Sequence, residues 1–116
     1  MTDDETVSRV LSALADPTRR RILDALVRQG SSTATVLAQE LPVTRQAIVK
    51  HLGVLDRAGL VEVWRQGREA RYRVVPGTMD ATAAWMERTA AVWGSRLAAI
   101  RKISEAAERQ ATDHGR

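Results

Sequence analysis

The stretch VTRQAIVKHL, residues 43–52, decides how this chain is read. Val43 is followed by a hydroxyl at Thr44 and by two long polar side chains, Arg45 and Gln46. Ile48, Leu52 and Leu55 then recur at helical spacing and define one apolar side. Arg45, Gln46, Val49 and Lys50 fall on the other. Thr44 suits the N-cap of this helix, predicted over about 45–58, because its hydroxyl can accept from a free first-turn amide. An outer face that begins with an arginine, a glutamine and a lysine needs a polar partner of its own.

On the N-terminal side, three shorter helices are predicted. The first spans about 4–14, with Val7, Val10, Leu11 and Leu14 at helical spacing. Asp16-Pro17 stops it and starts the second, since aspartate is a good N-cap and proline suits the first helical position. The second runs to about Arg28, with Ile22, Leu23 and Leu26 inward and Val27 beside them, and Gly30 closes it. Thr33 caps a third over 34–41, burying Val36, Leu37 and Leu41, and Pro42 ends it. The third helix, a short turn and the 45–58 helix make a helix-turn-helix.

On the C-terminal side the period changes. Gly59 closes the fourth helix, and LVEVWRQ (60–66) and ARYRVV (70–75) alternate around Gly67-Arg68-Glu69. This pattern predicts a β-hairpin, with Val61, Val63, Tyr72 and Val74 toward the core. Arg65, Arg68, Arg71 and Arg73 then lie outward or at the tip. Pro76-Gly77 ends the hairpin, and the pattern is helical again from Thr78 to about Gln110. A helix of that length would span ~50 Å. It either projects beyond its own globule or bends, with Gly94-Ser95 the place for a bend. The last residues, 112–116, are expected to fray. The whole reads as a single domain over 1–111, mostly α with a small β-hairpin, in the order α-α-α-α-β-β-α.

Composition narrows the function. The 116 residues contain no cysteine, which leaves no disulfide frame, thiolate metal site or cysteine nucleophile. The acidic start MTDDETVSRVLSAL does not look like a signal peptide, and no apolar run approaches the ~20 residues of a membrane span. The expectation is a soluble cytoplasmic protein without membrane contact. The net charge of +4 is localised. Between Thr44 and Arg73 stand seven basic residues (Arg45, Lys50, Arg57, Arg65, Arg68, Arg71, Arg73) against three acids (Asp56, Glu62, Glu69), and the rest of the chain balances. A localised basic surface fits a polyanion. No acid/base pair, phosphate loop or nucleophile with a base appears, so an enzyme is not expected.

The chain resembles the ArsR family of winged helix-turn-helix repressors over nearly its whole length. The resemblance is carried by LADPTRRRIL (14–23), VTRQAIVKHLGVLDRAGLV (43–61) and GREARYRV (67–74), in the family's order. It implies a homodimer that binds double-stranded DNA, with the 45–58 helix reading the major groove and the hairpin as wing. General chemistry agrees. Thr44 and the free amides beside it favour a phosphate. Arg45 can pair with guanine, Gln46 with adenine, and Val49 can touch a thymine methyl, while Lys50 is better placed for phosphate. Gly53, on the same face, lets a backbone come close. His51 lies near the buried stripe, packing under the helix or bonding a phosphate. The family usually carries a small hydroxyl residue where Val49 stands, a departure that bears on which sequence is read. The wing arginines Arg65, Arg68, Arg71 and Arg73 are expected on phosphate or in an adjacent minor groove.

The last helix is apolar on more than one side. Met79, Met86, Trp93 and Ile100 repeat every seven residues, with Trp85, Val92 and Leu97 beside them. One stripe can cover the protomer's own core, and a second needs another partner. A symmetric dimer through the first and last helices (Val7, Leu11, Met79, Met86, Trp93, Leu97, Ile100) supplies it. It also sets two recognition helices about one DNA turn apart, ~34 Å.

The family's known metal sites use a cysteine pair on the third helix, or carboxylate and histidine ligands on the last. Neither can be built here. The third helix reads ATVLAQEL, and the last helix offers Asp80 and Glu87 but no histidine before His114. The expectation is a repressor without cofactor or metal, acting on its own or a neighbouring promoter. The alternatives are a winged-helix module that binds protein, or a repressor released by a small organic ligand or protein partner.

Overall fold

The computed structural model describes residues 3–114. The elements run α1 (Asp3–Leu14), α2 (Pro17–Gln29), β1 (Ser32–Thr33), α3 (Ala34–Glu40), α4 (Arg45–Arg57), β2 (Val61–Gln66), β3 (Glu69–Val74) and α5 (Pro76–His114). The fold is mostly helical with one antiparallel sheet, in the order β1-β3-β2. The chain divides into two compact units, residues 1–82 and residues 83–116.

The first unit is built on one apolar cluster. Val10, Ile22, Leu26, Leu37, Ile48, Leu52, Leu55 and Leu60 are fully buried in it, so every helix from α1 to α4 contributes. Each fully buried side chain of this size stabilises the fold by about 1.5–3 kcal/mol before entropy is counted. Tyr72, Val74 and Met79 pack against the cluster from the hairpin and the start of α5. Val27 and Val36 stay exposed, and Leu11 is at the margin.

The predicted caps form. The Asp16 carboxylate accepts from the Arg19 N–H at 3.0 Å, and Thr33 Oγ1 from the Val36 N–H at 3.2 Å. The Arg19 N–H bond, with the Arg19 guanidinium behind it, holds the Asp16 carboxyl below the usual carboxylate range. The end of α1 has no basic residue in its own last turn. Its carbonyls are met by α2 instead. Arg19 Nε donates to Ala13 O at 2.7 Å, Arg19 Nη2 to Ser12 O at 3.2 Å, and Arg20 Nη1 to Leu14 O at 2.6 Å.

The end of α4 is a Schellman motif. Gly59 takes φ +77°, its N–H donates to Asp56 O, and the Leu60 N–H donates to Leu55 O at 2.9 Å. Leu60 O in turn accepts from the Val75 N–H at 2.9 Å, which ties the far end of the hairpin to the same residue.

The structure departs from the sequence reading at further points. Ser32 and Thr33 form a third strand, pairing with Tyr72 and Arg71, and two residues are too few to show a strand period. Val63 shares the face of Val61 and Tyr72 yet is 43% exposed, because β2 is an edge strand covered from one side only. Pro76 opens α5 where it was read as a stop, consistent with proline's fit to a first helical turn. Residues 112–114, expected to fray, continue the helix, while Gly115 and Arg116 lie outside the described residues.

Residues 83–114 belong to the second unit and are helical throughout, unbroken at Gly94-Ser95. Met86, Val92, Trp93, Leu97, Ile100 and Ile103 are all exposed, Trp93 to 60%. No helix among the described residues is long and apolar enough to cross a membrane.

Candidate nucleic-acid interface

Helices α3 and α4 pack against each other across a short turn, and the cap of α4 sets where its exposed polar face begins. Thr44 stands at φ −70°, ψ 157°, and its Oγ1 accepts from the Ala47 N–H at 3.1 Å. Burial of Ile48, Leu52 and Leu55 then fixes the rotation of the helix. Arg45, Gln46, Val49 and Lys50 are left exposed along the opposite side, as the spacing requires.

Arg45 does not stand alone. Its Nε donates to Thr35 Oγ1 on α3 at 3.2 Å. Together with Val49 it lines a small cleft of about 110 Å³ that Arg65, Arg68 and Tyr72 close from the hairpin. Gly67, at φ +65°, makes the turn that carries Arg68. Arg65 Nη2 donates to Arg68 O at 3.2 Å, which steadies that turn. Three arginines, Val49 and one acid, Glu69, thus line one cleft between the helix start and the hairpin.

The other two hairpin arginines are elsewhere. Alternation places Arg71 and Arg73 on the opposite face from Arg65. Arg71 is half-buried. Its Nη2 donates to Ser31 Oγ at 3.1 Å and to Ser31 O at 3.3 Å, and its Nε to Ser31 Oγ at 3.2 Å. Arg73 pairs with Glu62 and lies over the Trp64 ring, 5.1 Å from its centroid. These partners come from β1's approach and from cross-strand register, neither of which is visible in a one-dimensional pattern.

His51 is half-buried on the flank of α4. Arg19 Nη1 lies 3.3 Å from its Nδ1. A guanidinium can only donate, so this contact is a hydrogen bond when Nδ1 carries no hydrogen. His51 therefore joins the recognition helix to the same arginine that holds the carbonyls of Ser12 and Ala13. Arg19 was not among the residues singled out from the sequence. Its place in LADPTRRRIL was the available signal, but not its partners.

Of the residues expected at a dimer interface, Val7 is buried within its own protomer and Met79 packs on its own core. Leu11 is marginally exposed, and Met86, Trp93, Leu97 and Ile100 are open.

A helix-turn-helix whose exposed first turn faces a basic wing defines a DNA-binding protein of the winged-helix class. The comparisons agree. A helix-turn-helix domain family matches residues 14–63. The transcriptional repressor SdpR of Bacillus subtilis is 31% identical over 80 residues, 69% of this chain and 88% of that protein. The solved ArsR-like transcriptional regulator from Rhodococcus sp. RHA1 is 46% identical, covers 85% of this chain and 92% of its own, and superposes with a TM-score of 0.74. A homodimeric winged helix-turn-helix DNA-binding domain from Mycobacterium bovis is 29% identical, covers 73% of this chain and 79% of its own, with a TM-score of 0.62. The chain belongs to the ArsR family of winged helix-turn-helix transcriptional regulators.

Proposed function

We propose that this regulator is a homodimeric, sequence-specific repressor that acts on its own or a neighbouring promoter without sensing a metal. The observation that carries the reading is the cleft where Arg45 and Val49 of the recognition helix meet Arg65 and Arg68 of the wing. Gln46, Val49 and Lys50 are free to enter a major groove while the wing arginines hold the flanking backbone. Arg45 is within reach of both roles. The exposed apolar residues of α5 support self-association, as does the homodimeric relative. The chain has no cysteine, and the Nδ1 of His51 is already engaged by Arg19, which supports metal independence.

The test is binding of the purified protein to its own upstream region against scrambled DNA of equal length, at two salt concentrations, with and without a chelator. Preference for the upstream region that the chelator leaves unchanged is the expected result. Equal, equally salt-sensitive binding to both DNAs would count against an operator there, and loss of binding in chelator would count against metal independence.

A further inference from the structure

We propose that the cleft between α1 and the recognition helix is an effector site for a small amphipathic organic anion. The inference rests on the repressor reading and supplies the signal that reading lacks. Ser8, Arg9, Ser12 and Ala13 of α1 form one wall, and Val54, Arg57 and Ala58 of α4 form the other. The cleft is an open groove of about 650 Å³. That is inside the ~300–1,000 Å³ range of small-molecule sites.

Its lining selects a chemistry. Ala13 and Ala58 are buried members of the core cluster and Val54 packs against it, so the floor is apolar. Among the described residues the lining carries two arginines and two serines and no acid. Arg9 is paired with Glu5, an exposed pair one helical turn away, which contributes little and yields to a better anion. The Arg57 guanidinium lies along α4 beside Gly53, within 3.4 Å of where a Cβ would stand. A carboxylate between the two arginines, with a short hydrocarbon body on the alanines and valine, satisfies both parts of the lining. A cation meets repulsion there, and a fully polar solute leaves the floor unmatched.

The same cleft is wired to the reading face. One wall is the recognition helix itself. The other includes Ser12 and Ala13, whose carbonyls are held by Arg19, and the Arg19 guanidinium also holds His51 of that helix. A body wedged between α1 and α4 strains both connections and favours a different setting of α4 against α1. Because coupling is reciprocal, operator DNA must then weaken the anion by the factor by which the anion weakens DNA.

The experiment is an amide-shift titration of the full chain, without DNA, using hexanoate and benzoate, each set against its primary amide. Operator binding is then measured with and without each probe. The expected result is that shifts cluster at residues 8–13 and 53–58, that the carboxylates exceed their amides, and that operator affinity falls on the order of tenfold. Arg9→Gln should remove the preference for carboxylate over amide and leave DNA binding without probe unchanged, and Arg57→Gln should reduce the same preference. Shifts that are absent for both carboxylates, equal for acid and amide, or spread along the exposed apolar residues of α5 would overturn the site. Binding in the cleft with no change in operator affinity would overturn its role as an effector site. The titration needs no operator, so failure of the repressor reading leaves it fully readable.

Discussion

Arg65 and Arg68 stand beside the recognition helix and border one cleft with Arg45 and Val49, whereas Arg71 and Arg73, in the same hairpin, are engaged by Ser31, Glu62 and Trp64. The four residues share a charge, a length and a neighbourhood of nine positions. What separates them is the strand's alternation and the small strand β1, which brings Ser31 within reach of Arg71. Arg71 gives three hydrogen bonds to Ser31 and Arg73 an ion pair to Glu62, whereas Arg65 gives one bond to the Arg68 carbonyl, so we infer that the Arg65 and Arg68 pair has less to lose on meeting a phosphate. The lesson is that arginine content locates a basic element, while its cross-strand partners decide which arginines are available.

Substitutions should separate these roles, with the largest effect at α5. Trp93→Glu should turn the protein into a monomer in sedimentation and lower operator affinity by about 10²–10⁴-fold, because one hairpin and one helix then act alone. A variant that stays dimeric would remove the exposed α5 stripe as the interface. Next, Arg45→Ala should cost on the order of 1–3 kcal/mol in operator binding, concentrated at one base pair of a substituted-site series. A uniform loss across the series would instead move Arg45 into the phosphate-holding group with Arg65 and Arg68. Arg68→Ala should weaken operator and random DNA alike and reduce the salt slope by about one, while Arg71→Ala leaves the slope intact. Equal slopes for the two variants would mean that Arg68 and Arg71 meet DNA alike. In urea unfolding, Arg71→Ala should lose roughly 1 kcal/mol through its bonds to Ser31.

The smallest effect is a control away from the hairpin. Asp16 titrates lower in the folded protein than in the unfolded chain, so its cap stabilises the fold above the ordinary carboxylate range. That contribution fades as pH falls through the lowered value. Asp16→Asn should flatten that part of an acid-unfolding profile without altering the salt slope for DNA.

Much of the fold was legible because local chemistry and tertiary structure agree. Asp16, Thr33 and Thr44 each announce a helix start by a side chain that caps it, and Gly59 announces an end by a backbone angle it adopts easily. The face of α4 was legible for the same reason, since a three-residue apolar stripe fixes the rest of the wheel. What could not be read were facts that need two distant segments together. The pairing of Ser32 with Tyr72, the bonds from Arg71 to Ser31, and the contact of Arg19 with His51 link positions about 30 to 40 apart. Exposure of Val63 belongs with these, because alternation names a face but not what covers it.

Leu60 has one further consequence. It is fully buried, its N–H closes the end of α4, and its carbonyl receives the N–H that follows the hairpin. Helix and wing are thus two tines of one fork with a common root, and their separation cannot be adjusted independently. A duplex that engages both must supply the matching distance between a major groove and its flanking backbone. Sites whose base steps bend or compress easily will meet that distance at lower cost than stiff ones, so this protein should discriminate between DNAs at positions that no side chain touches.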